Sequence, residues 1–92
     1  MFKILDKKHL ASQVFRYLID APDIARKALP GHFVIIRLDE TGERVPITIA
    51  DADPVAGTLT LYVQVVGKTS MVMSCMETGD SILDVVGPLG NS

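Results

Sequence analysis

Thr58-Leu59-Thr60-Leu61-Tyr62-Val63-Gln64-Val65-Val66-Gly67-Lys68-Thr69-Ser70 decides how the chain is read. Thr58 to Val66 alternates and is rich in β-branched and aromatic residues, the pattern of a strand with one buried face. Gly67 ends it, and the hydroxyl residues Thr69 and Ser70 open a short helix over Met71 to Met76.

The same rhythm continues on both sides. Toward the C-terminus, Thr78-Gly79-Asp80 is a turn, and Ser81 to Val86 is a last strand ending in Gly87-Pro88-Leu89-Gly90. Toward the N-terminus, Ala52 to Gly57 is a loop and Arg44 to Ala50 a strand. Asp39-Glu40-Thr41-Gly42 is a hairpin loop, His32 to Leu38 a strand rich in β-branched residues, and Pro30-Gly31 a turn. Pro22 to Ala28 is one or two helical turns, with Asp20 as a cap and Pro22 at the start. Val14 to Ala21 is a strand with Phe15, Tyr17 and Ile19 on one face and Arg16 and Asp20 on the other. Phe2 to Ala11 is the first strand. Six short strands with gaps too short for parallel crossovers predict an all-β, six-stranded antiparallel Greek-key barrel with one or two short helices. Closure also removes exposed strand edges.

Ninety-two residues make one small domain. Such a chain buries only about 60–65% of its unfolded surface, so its stability is marginal unless a cofactor or partner covers some of the rest. The net charge of −2 and the lack of a basic run argue against a nucleic-acid module. No apolar stretch approaches the ~20 residues that span a bilayer, and the N-terminus lacks a signal-peptide pattern, so a cytoplasmic location is expected. One cysteine, Cys75, allows neither an internal disulfide nor a zinc or iron–sulfur site within the chain; a small buried thiol is expected. There is no Ser–His–Asp constellation, carboxylate pair or dinucleotide-binding glycine motif. His9 and His32 are expected to be structural or solvent-facing, and Met71, Met73 and Met76 to fill core.

Two segments carry chemistry. In Glu43-Arg44-Val45-Pro46-Ile47-Thr48-Ile49-Ala50-Asp51, Val45, Ile47 and Ile49 share one strand face, and Arg44, Pro46 and Thr48 the other. A cation, a rigid proline and a hydroxyl spread over roughly 13 Å suit a long ligand with an anionic middle and a polar ring. Read alone, the same strand is equally a hairpin strand whose Arg44 pairs with Glu43 or Glu40. In Val65 to Ser70, backbone N–H groups at a helix start, with Lys68 beside them, form an anion site. Gly67 there either takes positive φ or lets a ligand approach the backbone. A plain helix cap by Thr69 or Ser70 explains the same residues.

Together the segments resemble a family. Pro30-Gly31-His32-Phe33-Val34, Arg44-Val45-Pro46-Ile47-Thr48, Val66-Gly67-Lys68-Thr69, Gly79-Asp80 and Gly87-Pro88-Leu89-Gly90 occur in the order of the flavin-binding domain of the ferredoxin–NADP reductase superfamily. The likeness runs from about Lys3 to Gly90. It points most to the electron-transfer subunit of dihydroorotate dehydrogenase and to the small (alpha) subunit of NADH-dependent reduced ferredoxin:NADP oxidoreductase, also called sulfide dehydrogenase.

The resemblance implies an FAD-binding barrel over residues 1–92. Thr48 matches the hydroxyl beside the redox-active flavin nitrogen, Ile47 the residue packing on the ring, and Arg44 the pyrophosphate arginine, with Pro46 between them. Tyr62, Val63 and Gln64 match ring and ribityl contacts, and Gly67, Thr69 and Ser70 a pyrophosphate turn. The family's arginine position holds Val45, one residue after Arg44, so Arg44 and Ile47 share a site only if a bulge at Pro46 breaks the alternation. In the family a nicotinamide-binding domain follows the barrel, and the electron-transfer subunits add cysteines for a 2Fe-2S cluster. Both are expected beyond Ser92, with an iron–sulfur catalytic subunit or ferredoxin as partner and NAD(P)H as the nicotinamide. Alone, the chain is expected to hold FAD weakly or not at all, to self-associate, and to oxidise no NAD(P)H. The competing readings are an interaction or assembly barrel without cofactor, and a riboflavin- or nucleotide-type ligand carrier.

Overall fold

The computed structural model describes residues 1–29 and 31–90. Pro30, half of the expected Pro30-Gly31 turn, and the terminal Asn91 and Ser92 lie outside the described residues. The elements are β1 (Phe2–Ala11), β2 (Val14–Asp20), α1 (Pro22–Lys27), β3 (Phe33–Arg37), β4 (Val45–Asp53), β5 (Thr58–Gln64), α2 (Lys68–Ser74), β6 (Ser81–Ile82) and β7 (Asp84–Leu89). All pairings are antiparallel, in the order β6-β1-β2-β5-β4-β3-β7. β5 lies between β2 and β4, so the chain crosses from β2 to β3 in the Greek-key manner.

The six expected strands become seven, because Ser81 to Val86 is not one strand. Ser81 and Ile82 pair with Lys3 and Phe2 at one edge of the sheet, whereas Asp84 and Val85 pair with Arg37 and Ile36 at the other. One run carries the chain between the two edges and nearly closes the barrel, so it must change partner. The change falls at Leu83, whose N–H reaches the Leu38 carbonyl at 3.3 Å.

Alternation builds the core. Tyr17 and Ile19 of β2, Val34 and Ile36 of β3, and Leu59 and Leu61 of β5 are fully buried. Each such side chain contributes roughly 1.5–3 kcal/mol by leaving water. The face expected on β2 is the one observed: Tyr17 and Ile19 point in and Asp20 points out.

Several local expectations are corrected. β4 runs on to Asp53, so Ala52 and Asp53 pair with Leu59 and Thr58 rather than lying in a loop. The irregularity of β4 lies between Ile49 and Asp51 and not at Pro46. The β3–β4 register is continuous from Phe33↔Thr48 through Ile35↔Pro46 to Ile36↔Val45. Pro46 precedes the first recorded β4–β5 pair, Ile49↔Leu61, and at such a local edge the missing N–H is tolerated. Asp20 does not cap α1: it stays in β2 opposite Thr58, and Ala21 is the N-cap residue with no side-chain cap bond. α2 begins three residues before Met71. Met73 is fully buried and Met76 packs against the core, but Met71 is 61% exposed. Cys75 is exposed, because it ends α2 off the face that carries Met73. His9 stacks on Phe15, and buried His32 accepts the Leu29 N–H on Nδ1 at 3.0 Å. Among the described residues no helix is long and apolar enough to cross a membrane.

Candidate functional site

The two chemistry-bearing segments meet. A groove of about 320 Å³ opens on the outside of the barrel between β4, β5 and the first turn of α2. Pro46, Ile47 and Thr48 line it from β4, Tyr62, Val63 and Gln64 from β5, and Gly67, Thr69 and Ser70 from the turn. Strand alternation sorts what each residue offers. Pro46, Thr48, Tyr62 and Gln64 are exposed on the outer face, whereas Ile47 is half-buried and Val63 is buried in the core direction. The groove therefore meets a hydroxyl, an aromatic ring and a carboxamide as side chains, and mostly backbone at Ile47 and Val63.

The turn into α2 is built by Ser70. Its Oγ accepts the Val66 N–H at 2.9 Å and the Gly67 N–H at 3.1 Å, and donates to the Gly67 carbonyl at 3.1 Å. That reach-back starts the helix at Lys68, earlier than the hydrophobic pattern predicts. The next N–H groups, of Lys68, Thr69 and Ser70, have no intrahelical acceptor, as at any helix start. Gly67 itself is extended, with φ −164°, so the positive-φ expectation is corrected. A Cβ at Gly67 would meet no atom within 4 Å, so open space lies in front of its backbone.

Arg44 does not line the groove. It precedes β4, and its Nη1 lies 3.7 Å from Asp84 Oδ2, which Arg37 Nη2 also approaches at 3.2 Å. The partner is thus neither Glu43 nor Glu40 but a carboxylate at the start of β7, which local sequence does not reveal. The groove also includes Glu43, Val45, Val66 and Lys68. Glu43 accepts a 3.0 Å hydrogen bond from Thr69 Oγ1. With Lys68 and Thr69 it separates the groove from a second cavity of about 260 Å³ under the Asp39 to Gly42 loop. Glu43, Val45 and Val66 are not among the expected site residues; Val45 and Val66 stand within the quoted motifs and Glu43 beside one.

No protein-family model matches the chain. The dihydroorotate dehydrogenase B (NAD(+)) electron transfer subunit homolog of Thermotoga maritima is 49% identical over 89 residues, covering 97% of this chain and 32% of that protein. The dihydroorotate dehydrogenase B (NAD(+)) electron transfer subunit of Desulforamulus reducens is 40% identical over 98 residues, covering 98% of this chain and 37% of its own length. A chain of the NADH-dependent reduced ferredoxin-NADP oxidoreductase, solved in a study of flavin-based electron bifurcation, superposes with a TM-score of 0.95. It is 49% identical and covers 97% of this chain and 32% of that one. The chain thus spans about a third of the length of the relatives it matches. At this identity, over nearly all its residues, it is a homologue of the dihydroorotate dehydrogenase B electron transfer subunits and has the fold of the matching third of the solved oxidoreductase.

Proposed function

We propose that the groove holds FAD and that residues 1–92 are the flavin-binding barrel of an NAD(P)H-linked electron-transfer oxidoreductase. One observation carries the reading. Nine residues from three separate stretches, each assigned to the flavin site by the resemblance, line a single groove. The relatives' names, electron transfer subunits and an NADH-dependent reduced ferredoxin-NADP oxidoreductase studied for flavin-based electron bifurcation, point the same way.

The donor set fits the cofactor's two ends. At the ring end, Thr48 offers a hydroxyl to the flavin edge, Tyr62 a half-exposed aromatic face, and Gln64 a carboxamide for the ribityl hydroxyls. At the phosphate end, the open backbone at Gly67, the free N–H groups of the first helical turn and the Lys68 ammonium favour an anion. Arg44 joins that end only by leaving Asp84. The barrel residues move no proton: they orient the flavin, and the barrel wall keeps water from one side of it. When bound, FAD supplies the redox chemistry, accepting a hydride from a nicotinamide and releasing electrons to an iron–sulfur acceptor.

The remaining parts belong to the longer protein: a nicotinamide-binding domain after the barrel, and an iron–sulfur catalytic subunit or ferredoxin as partner, in the cytoplasm. Ligand sites favour domain interfaces. Tyr62 and Val66, exposed by 54% and 78% in the groove lining, form the surface such a domain would cover. Left bare, that surface promotes self-association and weakens FAD binding without abolishing it. NAD(P)H-dependent reduction of an artificial acceptor by these 92 residues with added FAD is expected to be nil.

The test is a titration with FAD up to millimolar concentration, followed by backbone amide shifts. Saturable shifts in wild type, lost in Gly67→Val while the remaining spectrum stays folded, support the groove. No saturable shifts, or shifts that Gly67→Val leaves unchanged, contradict it.

A further inference from the structure

We propose that Tyr17 and Lys7 are positioning residues for this groove, holding α2 against the sheet so that its first turn stands at a fixed distance from Tyr62 and Gln64. The proposal rests on the FAD reading above and adds residues that neither the motifs nor the groove lining include.

α2 cannot hold itself. Seven residues are too few for a stable helix in water. It has no acidic residue in its first turn, no basic residue in its last, and one buried side chain, Met73. Its start is tied to its own neighbours, Val66 and Gly67, through Ser70, and to Glu43 by one exposed hydrogen bond from Thr69 Oγ1. What fixes it to the β1–β2 part of the sheet is at the other end. The buried Tyr17 hydroxyl donates to the Met73 carbonyl at 2.6 Å. Lys7 Nζ donates to the Ser74 carbonyl at 2.6 Å and lies 3.5 Å from Glu77 Oε1. Both carbonyls are among the last four of the helix, which lack intrahelical partners; that of Met73 also accepts the Met76 N–H at 2.9 Å. The Lys7 ammonium also supplies the cation that the helix C-terminus favours and that α2 does not carry itself. The Tyr17 hydroxyl stays a donor, since burial, with Glu77 and Cys75 adding to it, pushes its pKa up to about 12.

Tyr17 and Lys7 are one rung of the sheet. They pair across β1 and β2, and Tyr17 pairs onward with Leu61 of β5. Leu61 immediately precedes Tyr62, so the strand that forms one wall of the groove and the rung that grips the other wall are a single hydrogen-bonded unit. A rung of this kind sets the width of the groove at its phosphate end and leaves the ring end, carried by β4 and β5 alone, unaffected.

The experiment compares FAD with riboflavin, which lacks the phosphates, in wild type, Tyr17→Phe, Lys7→Met and Lys7→Arg, with amide shifts reporting both dissociation constants. Tyr17→Phe and Lys7→Met are expected to weaken FAD about 3- to 10-fold, the worth of one hydrogen bond in affinity. Riboflavin affinity stays at the wild-type value, and Lys7→Arg keeps FAD affinity. Hydrogen exchange at the hydrogen-bonded Met71, Cys75 and Met76 amides should also quicken in Tyr17→Phe without any ligand. Unchanged FAD affinity in both Tyr17→Phe and Lys7→Met, or an equal loss of FAD and riboflavin, overturns the proposal. Should Tyr17→Phe not fold, the Lys7 pair decides by itself. Wild type that binds no FAD overturns the flavin reading, and this proposal with it; quickened exchange would then still report the grip on α2.

Discussion

α1 and α2 are both too short to stand alone, and they are held in opposite ways. α1 carries its own supports: Pro22 at the start, Asp23 in the first turn, Arg26 and Lys27 in the last, and an Asp23–Arg26 ion pair. Ile24 and Ala25 anchor it in the core. α2 has no such charges and borrows its C-terminal partners from Lys7 and Tyr17, more than fifty residues away in sequence. The difference shows in what each end is free to do. α1 is closed on itself and packs against β4, β5 and β7. α2 is gripped by the sheet at its far end, while its first turn, joined to Glu43 through Thr69, forms one side of an open groove.

The largest expected effect sharpens this contrast within α2. Met73→Ala removes the helix's only buried side chain and should cost about 2–5 kcal/mol in denaturant unfolding, whereas Met71→Ala, at an exposed site, should stay within about 0.5 kcal/mol. Equal costs at the two positions would mean that α2 is not anchored through Met73.

Tyr17→Phe comes next, at about 0.5–1.5 kcal/mol for one buried hydrogen bond. It also has a pH signature. The folded pKa is raised from 10.0 to about 12, so the stabilisation is complete below pH 10 and is lost as pH rises from 10 toward 12. The stability gap between wild type and Tyr17→Phe should therefore shrink across that window. A gap that stays constant would place the hydroxyl outside the grip.

Thr48→Val is expected to leave stability unchanged and to weaken flavin binding by about 0.5–1.5 kcal/mol, or to shift the flavin spectrum, since Thr48 is exposed on the groove face. Flavin affinity and spectrum identical to wild type would remove Thr48 from the ring. The smallest effect belongs to α1. Arg26→Ala breaks an ion pair whose side chains are 61% and 83% exposed, and should change stability by no more than about 0.5 kcal/mol. A larger loss would mean that α1 depends on that pair and is no longer the self-sufficient helix of the two.

The same contrast explains what could be read from the chain alone. β2, β3 and β5 were legible because their alternation is a local pattern that the core enforces. α1 was legible because its proline and charges lie within it, although Asp20, held opposite Thr58, does not cap it. The start of α2 was misjudged because the Ser70 hydroxyl, and not an apolar period, sets it. The last strand was read as one piece because its change of partner at Leu83 depends on two sheet edges brought together only by closure. At the candidate site, Pro46, Ile47, Thr48, Tyr62, Val63, Gln64, Gly67, Thr69 and Ser70 are named by the resemblance and line one groove. Arg44 was drawn elsewhere by Asp84, a partner forty residues on, and no local pattern signals that pull. Lys7 and Tyr17 left no motif at all, since their role exists only once β1, β2 and α2 are packed.

The most direct test of the central claim is contact mapping by intermolecular nuclear Overhauser effects between FAD and the selectively labelled chain. The flavin-groove account predicts contacts from the ring protons to Tyr62 and to the Thr48 methyl group, with none to Leu29 or Ala52, which line a separate cavity behind β4. Contacts to Leu29 and Ala52 with none to Tyr62 or Thr48, or no contacts at a saturating FAD concentration, would contradict it.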